Sequence, residues 1–178
     1  MVKNFKLIIF VILGLFIFFV LLNALKNNNN YLPDKISQDI ETSFTARLLY
    51  KNDEVSLHEL IENNDLSIIN IWASWCLPCR DEHVYLLNLK LNHNVNVIGI
   101  NYKDTKSNAK KFLEEFGNPY SQILLDPDGT KSIELGAYGV PETFLLNTKS
   151  RKIIKKYIGP LDNVKFDEIL KIIKNEKI

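Results

Sequence analysis

The sequence predicts an α/β domain, with a mixed central sheet flanked by helices, behind a single apolar segment at the N-terminus. Two patterns indicate this fold class. Beyond residue 25, short β-branched apolar runs alternate with segments in which apolar residues recur every three or four positions, as they do along one face of a helix. The roughly 150 residues of this region are enough for one domain with a sizeable core.

The charge of this region is nearly balanced. All 21 acidic residues and all but two of the 22 basic residues lie after residue 25, with no long block of either sign. This composition gives no indication of nucleic acid or an anionic surface as a partner.

The N-terminal segment has the composition of a membrane anchor. Leu7 to Leu22 is an unbroken apolar run, and continuing it to Leu25 gives nineteen residues. A helix of that length spans about 28 Å, close to the ~30 Å hydrocarbon core of a bilayer. Lys3 and Lys6 precede the run, which favours a cytoplasmic N-terminus and places the remaining chain across the membrane.

This anchor sets the expected boundaries along the chain. We expect residues 1–6 to be a cytoplasmic N-terminus, 7–25 a transmembrane anchor, 26–32 a polar linker and 33–178 the folded domain. A cleaved signal peptide is the alternative. It would normally have a shorter apolar region followed by a small-x-small cleavage site, and the segment 22–25 is a poor one.

The first half of the domain is predicted to contain two strands and two helices. Phe44 to Tyr50 has the composition of a strand, and a polar turn follows at 51–54. Ser56 to Glu59 fits a capping box that opens a short helix. Ser67 to Trp72 is typical of a buried strand, and a helix is predicted from Arg80 to about Leu91.

The second half adds four strands and two helices, and the whole pattern predicts a mixed sheet with helices on both faces. The predicted strands are Val95–Ile100, Gln122–Leu125, Thr143–Leu146 and Lys152–Ile158, the last two forming a hairpin. The apolar faces predicted for the three longer helices are Val84, Leu87 and Leu91; Ala109, Phe112, Leu113 and Phe116; and Phe166, Ile169, Leu170 and Ile173. Gly117 is expected to end the second of these helices.

Cys76 and Cys79 are the only two cysteines in the chain. Two thiols separated by two residues can close and reopen a small disulfide ring, which moves two electrons. The order strand, CxxC, helix puts Cys76 at a helix N-terminus, where unpaired N–H groups and the helix dipole favour a thiolate. We therefore expect Cys76 to be the exposed nucleophile and Cys79 to be the more buried resolving thiol.

Two other interpretations of the cysteine pair remain open. One is an inert local disulfide. The other is a zinc site formed with His83, although the sequence offers no convincing fourth ligand. His83 itself is more typical of a surface or capping residue.

Four ordered segments resemble the DsbE/CcmG group of thioredoxin-fold proteins. These are membrane-anchored thiol:disulfide interchange proteins of cytochrome c biogenesis. The segments are Asn70–His83, Asn101–Asp104, Gly117–Tyr120 and Tyr138–Phe144, and the resemblance covers roughly Pro33 to Ile173.

The resemblance implies a periplasmic reductant held at the inner membrane. It would keep the haem-attachment cysteines of apocytochrome c, or a thiol protein of haem ligation, reduced until haem is bound. Electrons would come from a membrane thiol–disulfide transporter. No cofactor is expected, because covalent haem needs CxxCH and Cys79 is followed by Arg80.

The resemblance also assigns residues that face the substrate. Pro141 corresponds to the cis-proline that faces the disulfide, and a cis bond there would leave the backbone of Val140 free to pair with an extended substrate segment. An ordinary trans turn proline is the alternative. Trp75 is expected to cover the thiols, and Pro78 to limit the flexibility of the motif.

Two glutamates are candidates for a supporting role. Glu82 lies three residues after Cys79 on the predicted helix, and Glu142 follows Pro141. Carboxylates near a thiolate raise its pKa and can relay a proton to a leaving sulfur. The alternatives are a solvated helix charge for Glu82 and a substrate-groove residue for Glu142. General thioredoxins carry an aspartate where this chain has Asn70, which cannot act as a base.

Three other functions are compatible with the motif. The chain could be a general extracytoplasmic thiol reductase with other substrates, or an oxidant of folding proteins, since CxxC alone does not set the direction of electron flow. A copper metallochaperone is a candidate of a different class, and such carriers usually add a histidine beside the thiols.

Overall fold

The computed structural model describes residues 2–26, 44–62, 64–150 and 152–176, and in the first range the side chains of residues 9–23. The chain divides into two compact units, Met1–Lys35 and Ile36–Ile178. The first contains helix α1, Val2–Lys26, whose large apolar side chains between Ile9 and Leu22 are exposed. Within the described residues, no helix combines the length and the apolar character needed to cross a membrane. Residues 27–32 of the expected linker lie outside the described residues.

The second unit contains five helices and seven strands among the described residues. They are β1 Thr45–Arg47, β2 Glu54–Ser56, α2 Leu57–Ile61, β3 Leu66–Trp72, α3 Leu77–His93, β4 Asn96–Tyr102, α4 Lys106–Phe116, β5 Gln122–Asp126, α5 Thr130–Glu134, β6 Glu142–Asn147, β7 Lys152–Ile158 and α6 Asn163–Glu176.

Five strands form a mixed sheet in the order β5-β4-β3-β6-β7, which confirms the predicted mixed central sheet. Strand β3 is parallel to β4 and antiparallel to β6, and β6 is antiparallel to β7. The separate pair of β1 and β2 is antiparallel.

The central strand β3 is buried on both faces, which explains its β-branched sequence. Ile68 and Trp72 join one apolar cluster with residues of α3, α4 and α6, and both cysteines lie in this cluster. Ile69 and Ile71 join the other cluster, which includes residues of α2. Helices therefore cover both faces of the sheet.

The apolar face predicted for α3 is wrong. Val84 and Leu91 are exposed, whereas the buried side chains of this helix are Cys79, Glu82, His83, Leu86 and Leu89. Two of the buried residues are polar, and their partners come from other elements, so apolar spacing alone could not locate this face. The helix also begins at Leu77 rather than Arg80, because Cys76 is its N-cap.

Two short elements, β2 and α5, were not predicted from the sequence. The turn predicted at 51–54 runs into β2, which has only three residues. The second is helix α5, which follows the turn after β5. Backbone N–H groups at the start of this helix donate hydrogen bonds to a side chain that precedes it. The Asp126 carboxylate accepts hydrogen bonds from the backbone N–H of Lys131 (3.2 Å) and of Ser132 (2.9 Å).

Candidate active site

The two cysteines form a disulfide at the N-terminus of α3. Cys76 is the N-cap residue, and its Sγ accepts a hydrogen bond from the Cys79 N–H at 3.2 Å. Pro78 lies in the first turn, where a missing N–H costs nothing. The expectation that Cys76 is exposed is wrong: Cys76 is 5% exposed and Cys79 2%. Both residues belong to the first apolar cluster, so the two cysteines differ little in exposure in the disulfide state.

The loop that carries Cys76 is fastened to the loop between β4 and α4. The Asp104 carboxylate accepts hydrogen bonds from Ser74 N (2.7 Å) and Ser74 Oγ (3.0 Å). Asn101 Nδ2 donates to the same carboxylate at 3.1 Å. Trp75 is 57% exposed and donates from Nε1 to the Lys103 carbonyl at 3.0 Å, while its covering of the thiols stays a prediction. The sequence singled out 101–104 as a family segment but not Asp104 as the anchor of this loop.

The Val140–Pro141 bond is cis, so the trans alternative is wrong. Glu142, the first residue of β6, pairs with Ile71 near the end of β3. Because the chain passes from the end of β3 to Cys76, this antiparallel register brings the Pro141 loop to the same edge of the sheet as the disulfide. Val140 is half-buried there.

Glu82 is fully buried one turn after Cys79, and the interpretation as a solvated helix charge is wrong. Its Oε1 accepts a hydrogen bond from Asn70 Nδ2 at 2.7 Å, and its Oε2 accepts one from the Leu161 N–H at 2.8 Å. Burial raises the pKa of Glu82 to about 7, although these hydrogen bonds and the charge of Lys165 oppose the rise.

Asn70 connects Glu82 to two other buried groups. Its Nδ2 also donates to Thr143 Oγ1 at 3.0 Å, and its Oδ1 accepts a hydrogen bond from the Tyr120 hydroxyl at 2.9 Å. Burial, with the charge of Glu82 as a second cause, holds the pKa of Tyr120 well above its ordinary range, so the hydroxyl remains a donor. Tyr120 closes one of the four family segments, but it was not predicted as a site residue.

Glu142 is also buried, with 2% exposure, and its neighbours differ from those of Glu82. Its Oε1 accepts hydrogen bonds from Tyr138 N (2.8 Å) and Gly139 N (3.0 Å). Its Oε2 lies 2.8 Å from Nζ of Lys156, and both side chains of this ion pair are buried. Lys156, on β7, was not predicted as a site residue, because nothing in the local sequence distinguishes it from the neighbouring lysine.

Most of the chain matches a known family. The family model described as redoxin matches residues 34–173. The thiol:disulfide interchange protein DsbE of Yersinia pestis is 33% identical over 180 residues, which cover 97% of this chain and 95% of the relative. The chain belongs to the redoxin family, among its DsbE-type thiol:disulfide interchange proteins.

Other relatives match this redoxin over shorter stretches. The thiol:disulfide interchange protein CycY of Rhizobium leguminosarum bv. viciae is 46% identical over 103 residues, 58% of this chain and 55% of the relative. The match to such curated relatives thus spans about half their length. A solved DsbF homologue from Corynebacterium diphtheriae superposes with a TM-score of 0.62 at 25% identity, covering 75% of this chain and 84% of the other, which supports the thioredoxin-like fold.

His83 of this redoxin is not the surface residue that the sequence suggested. It is 3% exposed, and its Nε2 lies 2.9 Å from the Gly117 carbonyl. Since a carbonyl only accepts, Nε2 carries the hydrogen, and burial lowers the pKa of this ring. Within the part of the chain that the structure describes, no group of three or more His, Cys, Asp or Glu side chains is arranged to hold a metal ion.

Proposed function

We propose that this redoxin is a periplasmic thiol:disulfide reductase that acts in cytochrome c maturation. Its substrate would be a disulfide of apocytochrome c or of a thiol protein of haem ligation, as the resemblance implies. The observation that carries the proposal is the Cys76–Cys79 disulfide at the N-terminus of α3, at the same sheet edge as the cis-Pro141 loop.

The exchange proceeds in two balanced steps. In the reduced protein, the Cys76 thiolate attacks one sulfur of the substrate disulfide, forms a mixed disulfide and releases the other substrate sulfur as a thiolate, which takes up a proton. The Cys79 thiol then loses its proton and attacks Cys76 Sγ. This step re-forms the Cys76–Cys79 disulfide and releases the second substrate sulfur as a thiolate, which takes up the proton that Cys79 lost. The substrate thus gains two electrons from the protein and two protons, one from the solvent and one from Cys79.

We assign to Glu82 the role of accepting the proton that the Cys79 thiol loses. It lies one turn further along α3, and its pKa of about 7 suits proton transfer at neutral pH. Asn70 donates a hydrogen bond to this carboxylate and accepts one from Tyr120, and neither residue can itself accept the proton near neutral pH.

The other supporting residues belong to the substrate side of the site. Trp75, Val140 and Pro141 would contact the substrate, with an extended segment pairing along the Val140 backbone. Pro78 stiffens the first turn behind Cys76. The ion pair of Glu142 with Lys156 favours a role in the groove over a role as proton relay.

A trapping experiment tests this assignment. Cys79→Ser should accumulate a mixed disulfide through Cys76, because the second step is blocked, whereas Cys76→Ser should accumulate almost none. The trapped partner in a membrane extract should be an apocytochrome c or a thiol protein of haem ligation. Equal adducts from both variants would contradict the assigned roles, and recovery of unrelated secreted proteins alone would contradict the substrate.

The direction of electron flow has its own test. A reductant should have a potential well below the ~−120 mV of a strong folding oxidase when it is titrated against glutathione. A potential near that value would make the protein an oxidant instead.

The N-terminal segment supports the proposed location. We propose that residues 1–6 are cytoplasmic, that 7–25 anchor the chain in the inner membrane, that 26–32 are a linker and that 33–178 face the periplasm, where a membrane thiol–disulfide transporter would donate electrons. The apolar run of the sequence and the exposed side chains between Ile9 and Leu22 support this arrangement. The full chain should resist alkaline extraction from membranes, and a chain starting at Lys26 should be recovered in solution. Release of the full chain by alkali would contradict the anchor.

A further inference from the structure

The segment 136–141, here called the cis-proline loop, is tied to one lysine of the neighbouring strand. Lys156 lies on β7 opposite Phe144 of β6. Its Nζ donates a hydrogen bond to the Gly136 carbonyl at 2.8 Å and lies 2.8 Å from Oε2 of Glu142. The ammonium therefore connects Gly136, the first residue of the loop, to Glu142, which directly follows the loop.

The same carboxylate reaches back to the middle of the loop. Oε1 of Glu142 accepts hydrogen bonds from the backbone N–H groups of Tyr138 and Gly139. Nζ of Lys156 also lies 4.0 Å from the centroid of the Tyr138 ring, a cation–π geometry. Tyr138 is 69% exposed, so a buried cation holds a ring that faces outwards.

We propose that Lys156 is a positioning residue for substrate docking: it holds the cis-proline loop, with Tyr138 and Val140, in the shape that an extended polypeptide meets beside the disulfide. This inference rests on the proposed function. A loop that is already ordered binds its ligand without the cost of ordering it, so the ion pair would act on substrate affinity rather than on the sulfur chemistry.

The cost of burying the pair argues for such a role. A buried ion pair is often no more stabilising than well-packed apolar residues of similar volume. The pair is nevertheless buried, and Nζ of Lys156 lies 5.2 Å from the centroid of the apolar Phe144 ring. Within the described part of the chain, the hydrogen bonds of these two side chains to backbone groups end in the loop, at Gly136, Tyr138 and Gly139. The pair thus specifies the loop conformation more than the sheet.

Single-turnover kinetics can test the proposal on the full chain in detergent, after reduction and removal of the reductant. The reduced protein is mixed with an oxidised peptide that contains a CxxCH disulfide, with an unrelated peptide disulfide, and with 5,5′-dithiobis(2-nitrobenzoate), which is too small to use the loop. Lys156→Met should raise the half-saturating peptide concentration about tenfold, as expected for a docking loop that has lost its preorganisation. Its limiting rate and its reaction with the small disulfide should change less than about twofold on the same reasoning.

Two further variants serve as matched controls. Lys155→Met removes the adjacent lysine of β7, whose partner Glu168 is on α6, and should leave all three reactions unchanged. Lys156→Arg retains the cation and should restore most of the peptide affinity. If Lys156→Met fails to fold, the double variant Glu142→Gln/Lys156→Met removes both charges and leaves no buried charge unpaired. It should likewise raise the half-saturating peptide concentration while changing the limiting rate and the reaction with the small disulfide little.

The outcomes separate this inference from the proposed function. Equal losses with the peptides and with the small disulfide, or an unchanged half-saturating concentration, would overturn the role of Lys156. If the wild-type protein does not prefer the CxxCH peptide, the proposed substrate class fails, and the role of Lys156 is then decided on the unrelated peptide.

Discussion

Glu82 and Glu142 are two carboxylates at one active site, buried to nearly the same degree, in unlike surroundings. Glu82 is 0% exposed and Glu142 2%. Among the described residues, the hydrogen-bond donors to Glu82 are two neutral groups, the Asn70 amide and the Leu161 N–H. Glu142 accepts two backbone hydrogen bonds and also faces the ammonium of Lys156.

These different surroundings favour a different role for each carboxylate. A buried carboxylate that is not in contact with a cation is costly to ionise. For Glu82, burial is the largest cause of a pKa raised to about 7, and the more distant charge of Lys165 only partly opposes it. A carboxylate whose charge is matched by a lysine is suited to holding neighbouring backbone in place. We therefore assign proton transfer to Glu82 and loop positioning to Glu142.

The largest expected effect comes from breaking the ion pair on one side only. Lys156→Met leaves the Glu142 carboxylate buried without its cation and should lower the free energy of unfolding by about 3–5 kcal/mol. Urea unfolding of the oxidised protein measures this. Lys155→Met breaks a half-exposed pair with Glu168 and should cost less than about 1 kcal/mol. Equal losses in the two variants would show that the buried pair has no special role.

The pH dependence of stability should distinguish Glu82. Its pKa in the folded state lies above the ordinary value of 4.5, so the folded protein holds this proton more tightly than the unfolded chain does. Stability due to Glu82 is therefore complete below pH 4.5 and is lost as the pH rises to about 7. Between these limits the wild-type protein should lose about 3 kcal/mol relative to Glu82→Gln.

Urea unfolding of both oxidised proteins across this pH range gives the difference directly. The cysteines do not titrate in the disulfide, and the lowered pKa of His83 affects both proteins alike and cancels. A difference that stays constant from pH 4.5 to 7 would contradict the raised pKa of Glu82.

A smaller loss of stability is expected from Tyr120, which is connected to Glu82 through Asn70. Tyr120→Phe removes the hydroxyl that bonds to Asn70 Oδ1 and leaves this buried oxygen with one partner fewer. The expected loss of stability is about 1–2 kcal/mol. Tyr85→Phe is the matched control, because its hydroxyl bonds to Asn163 at an exposed site and should contribute less than about 0.5 kcal/mol. If the two variants lose the same stability, the Asn70 network does not stabilise the site.

The sequence predicted those parts of the site that depend on local pattern. The strand, CxxC and helix order placed Cys76 at a helix N-terminus, and the family segments placed Pro141 in a cis bond; the structure confirms both. The same reasoning predicted the mixed sheet, because β3 and β4 are nearly continuous apolar runs. The buried polar residues of α3 and the ion pair between β6 and β7 could not be predicted in this way.

The failures share a physical cause. Glu82 and His83 are buried because Asn70, Leu161 and Gly117 supply partners from distant parts of the chain. A pattern that counts only apolar residues therefore predicts that the face of α3 with Val84 is buried, whereas Val84 is exposed. The pairing of Lys156 with Glu142 likewise depends on the register of β6 and β7, which the hairpin pattern alone does not give.

The division of labour between the two carboxylates can be measured in one experiment. Reduced wild-type protein, Glu82→Gln and Glu142→Gln are each mixed with a saturating peptide disulfide between pH 5 and 9, and release of the second peptide thiol is followed. In this phase Cys76 is already in the mixed disulfide, so Cys79 is the active-site thiol that must lose a proton. We expect the wild-type rate to rise with an inflection near pH 7, the inflection to vanish in Glu82→Gln, and Glu142→Gln to retain it while needing more peptide to saturate. An inflection that persists in Glu82→Gln, or that is lost in Glu142→Gln instead, would contradict the account.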